Sequence, residues 1–129
     1  MIQTMTLHRP VGQKEHDLIE AFGWKKFPPR LPFQPIFYPV VEESYAAQIA
    51  KDWNTKDPVS GYVGYVTRFQ VDATYLSKFD LKQAGGKSHT EYWIPADLLE
   101  EFNNCIIGTI QIVHRFAGIQ PLKKDSDQN

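Results

Sequence analysis

A single cysteine, Cys105, is all the chain carries, so no disulfide can form within it. No apolar run approaches the roughly 20 residues that cross a bilayer as a helix. The opening MIQTMTLHRP also lacks the apolar stretch of a secretory signal. Together these absences predict a soluble protein of a reducing cytoplasm. Cations are not in surplus either: 14 lysines and arginines against 15 acids leave a net charge of −1. That balance disfavours nucleic acid as a partner, because binding it requires cations to displace counterions. Cys105 and the four histidines, at 8, 16, 89 and 114, stand at no ligand-like spacing, so the sequence proposes no metal site. Internal repeats are missing as well.

What is present is enough for one core. With 129 residues, 42% of them hydrophobic, the chain predicts a single domain over 1–118 and a polar C-terminal tail over 119–129. IQTMTLHRPV reads as a strand ending near Arg9, stopped by Pro10. GQKEHDLIEAFG sets Leu18, Ile19 and Phe22 at helical spacing, with Gly23 to end the helix. The segment 24–39 holds Pro28, Pro29, Pro32, Pro35 and Pro39, which remove backbone donors and forbid a regular helix. It also holds Trp24, Phe27, Leu31, Phe33 and Phe37, too much apolar surface for a solvated linker, so it is expected to wrap on the domain and line something.

A short strand in PIFYPV leads to EESYAAQIAKDWN, a helix whose Tyr45, Ile49 and Trp53, with Ala46 and Ala50, predict one packed stripe. GYVGYVTRFQV is the clearest strand, with Val63, Tyr65, Phe69 and Val71 in one phase and Arg68 and Gln70 in the other. DATYLSKF predicts a turn of helix, FDLKQA a short strand and GGKS a turn. In SHTEYWIPADL, His89, Glu91 and Trp93 alternate with Thr90, Tyr92 and Ile94 as on a strand, and Pro95 or Ala96 opens a helix over PADLLEEFNN. GTIQIVHRF sets Ile110, Ile112, His114 and Phe116 against Thr109, Gln111, Val113 and Arg115. Helices early and strands late predict an α+β class: a mostly antiparallel split sheet with two or three short helices.

Several of these stretches carry a resemblance. RPVG, FPPRLP, QPIFYPV, GYV and WIPADLLEEFN resemble the small bacterial proteins labelled "ADP-ribosylation/crystallin J1", over nearly the whole chain. More distantly, the order of elements resembles the ADP-ribosyltransferase fold. That resemblance implies NAD as substrate. It also implies an Arg or His on an early strand to hold it (Arg9 or His8), a strand entering a helix that marks the nicotinamide pocket (FYPVVEESYAAQIA), and a catalytic Glu on a late strand four residues before a proline (Glu91, before Pro95). This chain departs from it in two places. Phe37, Tyr38 and Pro39 stand where Ser-Thr-Ser is usual, leaving Tyr38 to supply a stacking surface. His89, not Glu or Gln, lies two residues before Glu91.

The residues support that chemistry and also a plainer one. A carboxylate at Glu91 can stabilise the oxocarbenium-like ribose formed as nicotinamide leaves. Equally, it can pair with a cation on a neighbouring strand, Arg68 among them. Arg9 can grip a diphosphate with its planar fork or sit as a strand-end arginine. Arg30, framed by prolines in PPRLP, is a second anion-binding candidate or a tie from the loop to backbone carbonyls. Tyr38 can wall a ring pocket or fill a core strand, and His89 can carry a proton beside Glu91 or simply end a strand. His114 reads as a core or edge histidine, and the three tryptophans as packing. Two functions remain open: a nucleotide-binding, ADP-ribosyltransferase-like protein using His8, Arg9, Arg30, Tyr38, His89 and Glu91, or a non-catalytic interaction module docking a protein partner through the proline-aromatic loop 24–39.

Overall fold

The strict alternation in GYVGYVTRFQV builds the central strand. In a computed structural model, which describes residues 2–86 and 88–119, β3 (Val63–Asp72) runs antiparallel between β1 (Thr4–Val11) and β7 (Ile106–Ala117). Two shorter antiparallel pairs join it. β2 (Ile36–Phe37) pairs with β6 (Ile94–Pro95), and β4 (Leu81–Gln83) pairs with β5 (Thr90–Tyr92). Val40 links the parts: it bridges His8 of β1 on one side and Glu91 of β5 on the other. The order across the sheet is therefore β4, β5, Val40, β1, β3, β7. The class is α+β with antiparallel pairing throughout these ladders. Most of the predicted polar tail, 120–129, lies outside the described residues.

Because side chains alternate across a strand, the sheet has two covered faces. On one, Leu7, Val11, Phe69 and Val71 pack with Phe27, Phe37 and Phe102 into the main core, beside α1 (Gln13–Ala21) and α4 (Leu99–Asn104). On the other, Val40 and Val66 lie under Ala46 and Ala50 of α2 (Glu43–Asp52). Gly64 permits that second contact, since a Cβ there would overlap the backbone carbonyl of Ala50. The helix thus rests on the strand almost backbone to backbone. A short α3 (Ala73–Leu76), capped by the Asp72 carboxylate, turns the chain from β3 toward β4.

Four expectations change. The first strand does not stop at Arg9 but continues through Pro10 to Val11. His8 exchanges both of its backbone hydrogen bonds with Val40, so even-numbered positions of β1 point their N–H away from β3, and a proline at position 10 costs no bond to β3. In α1 only Ile19 is buried, while Leu18 is exposed. In α2 the buried stripe is Ala46 and Ala50, with Trp53 exposed, because a helix seated this close to the sheet has room only for small side chains. In β7 a register shift falls between the pairs Val66–His114 and Thr67–Ile112, so Val113 is an extra residue. Such a bulge reverses the phase: Ile112 faces the main core with Thr67, and His114 faces α2 with Val66.

The loop 24–39 divides. Phe27 and Phe37 are buried, and the Asn103 amide clamps the loop by hydrogen bonds to both backbone groups of Phe27. Leu31 and Phe33 stand exposed, Phe33 at 76%.

Candidate functional site

Period-two alternation puts Glu91, Val40 and His8 in one row across the sheet, all facing α2. Glu91 is 9% exposed. The hydroxyl of Tyr45, one turn into α2, donates to its Oε2 at 3.0 Å, and Nε1 of Trp93 donates to its Oε1 at 2.8 Å. Among the described residues no cation pairs with Glu91. Lys82, directly across the β4–β5 pair, lies over the Trp93 ring instead. Burial, and then the bond to Glu91, pushes the Tyr45 hydroxyl up to about 12, so it stays a donor at any ordinary pH. His89 stacks on the Tyr45 ring at 4.3 Å, nearly parallel. Beside them opens a cleft of about 500 Å³ lined by Tyr45, Gln48, Ile49, Trp53 and His89.

Next in the row stands His8, buried to 5% exposure. Its Nδ1 lies 3.1 Å from the Val41 carbonyl, which assigns that nitrogen the proton and leaves Nε2 to accept from Arg68 Nε at 3.4 Å. Burial lowers its pKa, opposed in part by the Val41 bond, so the ring is neutral near pH 7. Arg68 does not reach Glu91. It pairs at 2.5 Å with Glu43, the first residue of α2, whose other oxygen receives His114 Nε2 at 2.5 Å. These bonds, that of His114 first, lower the Glu43 pKa. Glu42 is anchored separately: burial works against its ionisation, and the hydroxyl and amide of Thr90 more than compensate.

Arg9 leaves β1 on the opposite face. Its Nε and Nη2 bind the two carboxylate oxygens of Glu15 at 2.8 and 3.1 Å, and its guanidinium lies 4.6 Å from the centre of the Phe37 ring. Arg30 is half-buried on that side, in electrostatic reach of Arg9, Glu15 and Tyr38. Tyr38 is 39% exposed and meets the edge of Trp93 at 6.0 Å.

A site in which Arg9 and Glu91 grip one group together is therefore not assembled, for they are adjacent in phase on opposite sides of one sheet. His8 is the early-strand residue that shares a face with Glu91. His89 does not bond Glu91 directly; it stacks on the ring of Tyr45, whose hydroxyl does. No protein-family model, curated protein or solved structure matches this chain.

Two residues that hold Glu91 were read from sequence only as packing. Trp93 had a usable signal, since period two on a strand puts residue 93 beside residue 91 on the same face. Tyr45 had none, because 46 positions separate it from its partner. His114 was hidden by the bulge. On the surface of α1, His16, Asp17 and Glu20 bring potential ligand atoms within 4.8 Å of one another. His16 already bonds Asp17 at 2.9 Å and stacks on Tyr65 at 4.1 Å, which accounts for its position without a metal.

Proposed function

We propose that the chain binds NAD or a similar ADP-ribose-containing nucleotide at the α2 face, with Glu91 as the group that meets the ribose. The observation carrying this reading is the state of Glu91: a buried carboxylate with no cationic partner among the described residues, fixed by two aromatic donors. Burying a charge without an opposite charge is costly, and such a group is most useful where positive charge develops during a reaction. The fold supports the reading further. The three elements named by the ADP-ribosyltransferase resemblance, β1, the segment entering α2, and β5, lie side by side in the sheet through Val40.

In that role each oxygen of Glu91 keeps a lone pair for a ribose hydroxyl after accepting from Tyr45 or Trp93. Its fixed charge stabilises the ribose carbon as the bond to nicotinamide breaks and nicotinamide departs with the electron pair, and a water molecule then bonds to that carbon and releases a proton to solvent. His8, neutral and locked to the Val41 carbonyl, shapes the floor of the site and carries no charge into it.

Calorimetry with NAD and an assay of nicotinamide release test this together. Wild type and Glu91→Gln should both bind NAD, with release at least 100-fold slower in the variant. No heat at millimolar NAD with the wild-type protein would remove the reading.

A second reading rests on the exposure of Leu31 and Phe33 at the tip of the proline loop: an apolar contact for a protein partner. Burial of Phe27 and Phe37 reduces that patch to two side chains, so the nucleotide reading is preferred.

A further inference from the structure

Arg30 presents an unsolved account. Its Nε is covered from solvent and has no hydrogen-bond partner, although the side chain as a whole is only half-buried. Among the described residues no carboxylate pairs with it: Glu15, the acid in its neighbourhood, gives both oxygens to Arg9. Two guanidinium groups thus stand near one carboxylate that Arg9 alone engages, and the region keeps a net positive charge. Native structures rarely leave a covered N–H unpaired, and a bound ion is one of the reasons where they do. The segment carrying Arg30 is fixed on both sides, by Pro28, Pro29 and Pro32 and by the clamp of Asn103 on Phe27. Little freedom is lost when a ligand engages a side chain on such a frame.

We propose that Arg30, backed by Arg9, forms a seat for a phosphate group, separate from the Glu91 site. The arginine fork matches phosphate by two parallel N–H bonds, a geometry lysine does not reproduce. A phosphate is preferred to a carboxylate because it keeps acceptor oxygens beyond the two that an arginine fork engages. The charge favours it too, since a dianion answers a site already left positive after Glu15 is used. The seat does not depend on the nucleotide reading, because Arg9 and Glu91 face opposite sides of the sheet.

The test is titration with pyrophosphate at constant ionic strength, followed by calorimetry and by the Arg Nε–H signals in nitrogen-proton spectra. Saturable binding that shifts the Arg30 Nε–H signal, weakens at least 10-fold in Arg30→Ala and is not restored in Arg30→Lys supports the seat. Unchanged affinity in Glu91→Gln supports its separateness. Absence of saturable binding, or equal affinity in Arg30→Ala, overturns the proposal. Acetate binding as tightly as pyrophosphate overturns its phosphate character, and loss of pyrophosphate binding in Glu91→Gln overturns its independence. Should Arg30→Ala fail to fold, Arg30→Gln keeps the volume and removes the charge, and the same readings apply to it.

Discussion

Glu91 and Tyr45 form the contact on which the site's charge depends. Tyr45→Phe removes one of the two donors to a buried carboxylate and should cost about 1–2 kcal/mol of stability, measured by urea denaturation at pH 7.5. The loop aromatics divide just as sharply. Phe27→Ala empties a packed position against Phe37 and Phe69 and should cost roughly 3–5 kcal/mol. Phe33→Ser changes an exposed side chain and should fall within about 0.5 kcal/mol of wild type; equal losses in the two would contradict the observed burial. At this scale the sequence disclosed little, and the reason is geometric. Glu91 was conspicuous as an acid on an aromatic strand, yet the choice between His8 and Arg9 depends on which face of β1 each takes. Neighbours in sequence are always on opposite faces of a strand, and composition does not say which face is the site's.

Elements were more legible than contacts. The period-two pattern of β3 and the apolar spacing of α2 placed both correctly, because each repeats over several pleats or nearly three turns. Small residues carried information that hydrophobic periodicity overlooked: the stripe that packs α2 is Ala46 and Ala50 over Gly64, and the larger Tyr45 and Trp53 stand to the side. Gly64→Ala should therefore cost more than about 2 kcal/mol, since the added methyl must push α2 off β3. Helix displacement would also loosen Tyr45 from Glu91, so the same variant should alter Trp93 fluorescence. The bulge at Val113 was not legible, because a single inserted residue leaves an alternating pattern intact to the eye while reversing its meaning beyond that point.

For the molecule as a whole, the titrating groups set a stability plateau. The pKa of His8 is lowered in the fold, so below its ordinary 6.5 the unfolded chain takes up a proton that the folded one refuses, and stability falls. Glu42 and Glu43 are also lowered, and below about their ordinary 4.5 the same imbalance adds to the loss. Above 10 the sign reverses: Tyr45, Tyr75 and Tyr92 are raised, so the unfolded chain releases protons first and stability falls again. Burial also raises the Cys105 thiol from its ordinary 9.0, so the loss on the alkaline side begins there; denaturation midpoints should be flat from about pH 7 to 8 and drop on either side, and His8→Gln should flatten the slope between pH 6.5 and 5.5. A molecule-wide consequence also follows from Val40. Among the described residues the half of the sheet bearing Glu91 is joined to β1 by a single backbone pair, His8 with Val40, through hydrogen bonds of 2.7 and 2.8 Å, with side-chain bonds from His8 to the Val41 carbonyl and from Tyr92 to Met5 beside it. It is a door hung on one backbone hinge-pin: amides of residues 88–94 should exchange with deuterium well before those of β3, and each such opening bares Glu91 to solvent.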